Sequence, residues 1–303
     1  MKTILAFLAF AASLAWLPAV HGAQTQTTFA SPEEAVAALV ASLRTPDRAT
    51  TVSILGKDAA SFVTSGDAVA DRAMIARFLE GYQARNAIET QGERATLVIG
   101  TDGFPFPFPI VKTGERWRFD TAAGREELLA RRIGENELHA IEVLRAVVDA
   151  QLEYASEDRN GNGTLEYAQK LASTPGKRDG LFWQAKAGEP PSPLGALVAS
   201  ATTEGYAKQK KPQPFHGYFF RLLPGQGPDA LTGPRDYVVR GRAIGGFAVV
   251  AWPAKYGNSG VMTFLVNHEG TVYEKDLGPN TQAEASGMRR FNPGKGWTRV
   301  PTR

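Results

Sequence analysis

The spacing of apolar residues divides the chain into a helical front, a long amphipathic centre and a β-rich end. Residues 4–17 form an almost unbroken apolar run, interrupted only by Ser13 and followed by Pro18. Further on, Ser31-Pro32-Glu33-Glu34 offers an N-cap, a proline at the first helical position and acids in the first turn. Val36, Leu39, Val40 and Leu43 then recur as one helical face. Pro46-Asp47 closes that helix and opens a short second one through Ile54 and Leu55. A third helix is predicted over 71–85, with Met74, Ile75, Phe78, Leu79 and Tyr82 at helical spacing. After Asn86 the period changes. Residues 95–99 read as a strand, and 110–111 with 117–119 as a hairpin about Gly114. The alternating Phe and Pro of 104–109 predict an edge or crossing segment, because proline cannot donate to a central ladder.

The pattern over 122–132 predicts a short linking helix that halts near Gly134. Residues 136–156 predict the longest helix, with an apolar stripe of Leu138, Ile141, Leu144, Val148 and Leu152. Glu142, Arg145, Asp149 and Glu153 form its polar face, with charge pairs one turn apart. The chain is loop-rich past Gly163, then predicts a modest helix over 194–206 and a basic, proline-containing connector over 208–214. Strands are expected at 218–223, 237–252, 261–266 and 271–275, which are rich in aromatic and β-branched residues. Asn267-His268-Glu269-Gly270 suits a type I turn with a bulge glycine. Gly241, Gly245 and Gly246 predict a bend within the long strand. The fold class is α+β. A small N-terminal domain of helices and a curved antiparallel sheet, 31–125, precedes a domain at 133–303 in which a long helix packs on an antiparallel sheet.

The first apolar run changes the picture from fold to address. Lys2 precedes it, and Ala19, Gly22 and Ala23 supply small residues for a signal-peptidase cut. The run is shorter than the roughly 20 residues a membrane span needs. Residues 1–23 are therefore expected to be a cleaved secretory signal, placing the protein in the periplasm or outside the cell. The 303 residues include no cysteine, which excludes disulfides, thiolate metal sites and cysteine nucleophiles. With 34 basic and 31 acidic residues the chain lacks the charge of a nucleic-acid binder, and no second stretch approaches transmembrane length.

The motif richest in chemistry is Asp158-Arg159-Asn160-Gly161-Asn162-Gly163-Thr164-Leu165-Glu166. Asp158, Asn160 and Asn162 stand at positions 1, 3 and 5 of a calcium loop, Gly163 at the sharp turn and Thr164 at the carbonyl position, with Leu165 expected to face inward. Position 12 is Gln169 where an EF-hand has a bidentate glutamate, so Glu166 or Glu157 would have to complete the shell. The competing reading is a Gly/Asn-rich turn after a long helix. Among the histidines, His139 shares a helical face with Glu135 and Glu142, His216 is expected to be buried and hydrogen-bonded, and His268 solvated in its turn. Gly257-Asn258-Ser259-Gly260 is not a nucleophile elbow, and no HExxH, P-loop or dinucleotide fingerprint occurs. Lys177-Arg178-Asp179 and Arg289-Arg290 are charge runs that read as solvated surface. Phe104, Phe106, Phe108, Trp183 and Trp252 are expected to seal the domain joint and the sheet ends.

Several segments carry a family likeness. Ser31-Pro-Glu-Glu-Ala35, 120–125 (DTAAGR), Tyr167-Ala-Gln169, 173–180 (STPGKRDG) and 245–248 (GGFA) resemble the uncharacterised secreted bacterial family called domain of unknown function 2950. The resemblance implies an exported protein and supplies no activity. The stretches 140–154 and 264–273 also resemble the globular head of type IV pilins and pseudopilins, a helix laid across an antiparallel sheet. Pilins begin with a long hydrophobic helix that polymerises them; here a polar domain takes that place, which argues against assembly by that route. The expectation is a non-enzymatic binding or envelope-associated protein, its partner an envelope protein or ligand. The alternative is a secreted hydrolase acting on cell-envelope polymer. Calcium is the one cofactor the motifs bring into view.

Overall fold

The computed structural model describes residues 26–45, 47–206 and 213–301. The expected signal, residues 1–23, and most of the connector at 208–214 lie outside these. The fold is α+β, built on two five-stranded antiparallel sheets.

Helix α1 (Pro32–Arg44) starts as its sequence dictates. Ser31 accepts the Glu34 N–H at 3.2 Å, and the Glu34 carboxylate accepts the Ala30 N–H at 3.0 Å. Asp47 caps α2 (Arg48–Leu55) in the same way. Ala35, Val36, Leu39 and Val40 of α1, with Ile54 and Leu55 of α2, pack on the first sheet. That sheet has the order β1 (Asn86–Gln91), β2 (Arg94–Ile99), β4 (Ile110–Thr113), β5 (Arg116–Phe119), with β3 (Phe104–Pro105) beside β2. Strand β1 escapes hydrophobic patterning because it is an edge strand with five of six residues exposed. Helix α3 (Ala68–Ala84) leaves none of its residues fully buried.

Helix α4 (Thr121–Ala155) is continuous over 35 residues, about 50 Å of helix. The expected break near Gly134 does not occur. Gly134 is exposed and its φ is not positive, so it acts as a weak interior residue and not as a cap. Packing on either side holds the helix through it: Gly124 lies against the Phe108 ring, and Ala140 to Tyr154 lie in the second core. The buried face is also rotated from the expected stripe. Ala140, Val143, Leu144, Val147, Gln151 and Tyr154 are inside, while Leu138 and Leu152 are 46% and 50% exposed. Gln151 can lie inside because its amide exchanges two hydrogen bonds with the Ala168 backbone, at 2.8 and 2.9 Å.

The second sheet has the order β12 (Thr298–Arg299), β11 (Tyr273–Asp276), β10 (Met262–Asn267), β9 (Ala248–Pro253), β6 (Tyr218–Leu223). Period-two alternation gives it two cores. Val249, Ala251, Phe264 and Val266 face α4, while Ala248, Val250, Trp252 and Leu265 face α6 (Thr281–Gly287) and Phe291. The expected strand over 237–252 is mostly a folded loop. Only β9 and, before the span, β8 (Arg235–Asp236), paired with β7 (Gly225–Gln226), are extended. Arg240 at φ 50° and Gly241 at φ 79° turn the chain, and Gly245 sits against the Asp236 carbonyl where a side chain would not fit.

Candidate functional site

Between α3 and α4 lies a cleft of 1690 Å³, open along one side and lined mainly by apolar side chains. The sequence of α3 explains it. Val69, Met74, Ile75 and Phe78 make an apolar face; α3 packs against the first core through Phe78, Leu79 and Tyr82, but none of its residues is fully buried, so the face covers the cleft without closing on it. The Phe-Pro segment supplies the floor. Phe106 meets Phe78 at 5.0 Å and Phe108 at 5.6 Å between ring centroids. Only Phe104 projects outward, 55% exposed, under the Arg131 guanidinium. Leu39, Leu128 and Leu197 complete the walls from α1, α4 and α5 (Gly195–Thr203).

One end of the cleft is polar, and Asp67 organises it. This carboxylate is 2% exposed. One oxygen caps α3 through the Val69 and Ala70 N–H groups, at 3.0 and 3.1 Å. The other accepts the Tyr206 hydroxyl at 2.8 Å and the Gly217 N–H at 3.0 Å. Burial and then the Asp67 carboxylate push the Tyr206 pKa well above its ordinary value, so it stays a donor. The Tyr206 oxygen in turn accepts the His216 N–H at 3.2 Å. His216, held at φ 47°, sets its Nε2 3.0 Å from a Glu204 carboxylate oxygen and its ring 4.4 Å from that of His139. Burial first and His139 second pull the His216 pKa down, against the pull of Glu204. Glu204 also accepts the Ser200 hydroxyl at 3.1 Å, so this carboxylate stands between the serine and the imidazole.

The floor of the joint is a second polar cluster. Arg132 Nη1 donates to the Phe62 carbonyl at 2.8 Å and to Asn258 Oδ1 at 2.5 Å. The Asn258 amide donates to the carbonyls of Ser61 and Thr64 at 3.1 and 3.2 Å, and Lys255 donates to Ser61 at 2.8 Å. Asn136 donates to the Ser259 carbonyl at 2.8 Å. Residues 255–259 thus tie the second sheet to the first helices.

A family model described as "Protein of unknown function (DUF2950)" matches residues 26–300. The chain belongs to the DUF2950 family. Comparison with curated proteins and with solved structures finds no match. In this DUF2950 chain neither comparison confirms the pilin likeness of 140–154 and 264–273.

The five residues expected to ligate calcium do share one loop. Asp158 accepts the N–H groups of Gly161, Asn162 and Gly163 at 2.9, 3.1 and 2.8 Å. Those bonds, Gly163 foremost, hold its pKa below the usual carboxylate range. Asn160 and Asn162 turn their carbonyl oxygens to the backbone N–H groups of Asn162 and Thr164 and their amides to one oxygen of Glu166. Glu166 is 5% exposed, and its second oxygen accepts the Ala243 N–H at 3.1 Å. Thr164 accepts from Arg242. Leu165 is 60% exposed and not turned inward: the inward place is taken by Glu166, which has donors waiting there. Gln169 points away, donating to the Gly241 carbonyl at 2.8 Å. Among the described residues no group of three or more His, Cys, Asp or Glu converges to hold a metal ion.

The remaining candidates settle individually. His139 turns to His216 and not to Glu135, which pairs with Arg77 at 3.6 Å. His268 is half-buried against Tyr237 and Phe247, with Nε2 3.2 Å from Arg235, and is not a free turn residue. Arg178 and Asp179 pair with Glu189 and Lys170, and Arg290 with Asp236. Sequence reasoning missed Asp67, Tyr206 and Asn258. Asp67 carries a signal as an N-cap, but the 139 residues between it and Tyr206 leave no local pattern to read.

Proposed function

We propose that this protein is an exported, non-enzymatic binding protein of the bacterial envelope, and that the cleft between α3 and α4 is its ligand site. The observation that carries this reading is the open apolar cleft itself. Water-exposed apolar surface on this scale is costly to a folded chain and marks a binding surface. An apolar or amphiphilic molecule fits such walls. The leader pattern of residues 1–23 supports export. The hydrolase alternative needs an activated nucleophile or a facing carboxylate pair, and Ser200 donates to Glu204, with the His216 imidazole on the far oxygen of that carboxylate and not against the serine.

Two measurements test this. Protein recovered from the envelope fraction, starting at Ala23 or Gln24, should release a bound amphiphile on organic extraction, detected by mass spectrometry. Ala73→Trp, which fills the cleft from α3, should abolish that recovery. Hydrolysis of envelope polymer by the purified chain would contradict the reading.

A second reading attaches to the loop at 158–166, where five oxygen-bearing side chains crowd one turn. Calcium there would be weak, and it would act by ordering the loop. Millimolar calcium should raise Tm relative to chelator, by ligand linkage, and Asp158→Ala should remove the rise. An equal Tm in both conditions would contradict it.

A further inference from the structure

The cleft contains one charge that its surroundings do not satisfy. Four arginines line it: Arg48, Arg77, Arg131 and Arg132. Arg77 and Arg131 pair with Glu135 and Glu127, and Arg48 is exposed to water. Arg132 differs from all three. It is 7% exposed, no carboxylate among the described residues lies within ion-pair distance of it, and its Nη2 is buried with no hydrogen-bond partner. Asp71 acts on it only at longer range, and both Asp71 oxygens already accept the Ser65 N–H at 3.1 Å. A guanidinium without a counter-ion is expensive to bury, and a free N–H on it adds to that cost. Helix α4 nonetheless places it in the cleft wall, and the bonds from Nη1 to Phe62 and Asn258 fix its plane.

We propose that Arg132 receives the oxyanion head of an amphiphile whose apolar body lies along Phe78, Phe106 and Phe108. The head is a carboxylate or a phosphate ester, the two groups that match a guanidinium edge. This inference deepens the cleft reading and rests on it. The aromatic floor supplies affinity without regard to the head; Arg132 supplies selection among heads on equal chains.

The test is calorimetric titration of the full mature chain with four ligands of one chain length: dodecanoate, dodecyl phosphate, dodecanol and dodecylamine. The first two should bind at least about tenfold tighter than the alcohol, the scale of one charge-assisted hydrogen bond. The amine should bind most weakly. Whichever anion is the tighter identifies the source of the head. Arg132→Met should bring the anions down to the alcohol and leave the alcohol unchanged. Lys255→Met breaks the same joint at the Ser61 carbonyl and removes one positive charge, but leaves the Arg132 guanidinium and its bonds in place, so it should preserve the preference. Equal binding of anion and alcohol by the natural chain overturns the inference while leaving the cleft reading intact. Loss of the preference in Lys255→Met to the same extent as in Arg132→Met also overturns it, by making Arg132 a joint residue only. Failure of all four ligands to bind removes the cleft reading and the inference with it.

Discussion

The two sheets receive their helices differently. The second is covered on both faces, by α4 on one and by α6 with Phe291 on the other, and every residue of β9 is buried. The first is covered closely by α1 and α2, while its third helix packs on it through half-buried Phe78, Leu79 and Tyr82 and leaves an apolar cleft. Both arrangements start from amphipathic helices. What separates them is what each helix face meets: α4 meets a filled row of Val, Ala and Phe, while α3, beyond its contact with the first core, faces a Phe-Pro segment whose backbone cannot join a full ladder. One region closes over its core and the other leaves a cleft.

Substitutions can break this comparison. The largest effect is expected at Leu144, which is fully buried between α4 and the second sheet: Leu144→Ala should cost about 2–5 kcal/mol in urea denaturation. Met74→Ala, on the cleft face of α3, should cost less than about 1 kcal/mol. Equal costs at the two positions would show that the cleft is as closely packed as the core. Asp67→Ala comes next, at about 2–4 kcal/mol, because it removes a helix cap and leaves the Tyr206 hydroxyl and the Gly217 N–H without their acceptor. Gly134→Ala should stabilise by about 0.5–1 kcal/mol, since nothing lies within 4 Å of the added carbon and α4 is continuous there. A loss instead would mean that the helix breaks at Gly134.

The smallest effect is with pH. Burial holds the pKa values of His216 and His268 below the ordinary imidazole value of 6.5 in the folded chain. The unfolded chain therefore binds more protons between those lowered values and 6.5. Stability from this source is complete above 6.5 and is lost as the pH falls toward the folded pKa values. Tm should drop between pH 7.5 and 5.5, and the double variant His216→Asn, His268→Asn should flatten the drop. Asparagine accepts the positive φ of residue 216.

Local chemistry made much of the fold legible in the sequence. Ser31, Pro32 and Asp47 announced α1 and α2, the strand at 218–223 was readable to the residue, and the hairpin about Gly114 followed from its turn. What local pattern could not show was decided at long range. Gly134 reads as a stop until packing on both sides carries the helix past it. Glycines at 241, 245 and 246 read as a bent strand, where the backbone in fact folds against Asp236 and Tyr237. The candidate site was less legible than the fold. The rings of His139 and His216 meet although the residues lie 77 positions apart, and Asp67 gathers partners from two distant segments, Tyr206 and Gly217. A loop motif such as 158–166 advertises itself in sequence because its parts are adjacent; a cleft assembled from α3, α4 and a Phe-Pro segment has no such advertisement.

The cleft is the centre of the account, and a neutral apolar fluorophore addresses it directly. N-phenyl-1-naphthylamine, titrated into the mature chain, should brighten and saturate at one site. Ala73→Trp should remove the signal, and Leu231→Ser, on an exposed leucine that does not line the cleft, should leave it unchanged. A signal that never saturates, or that survives in Ala73→Trp, would contradict the account.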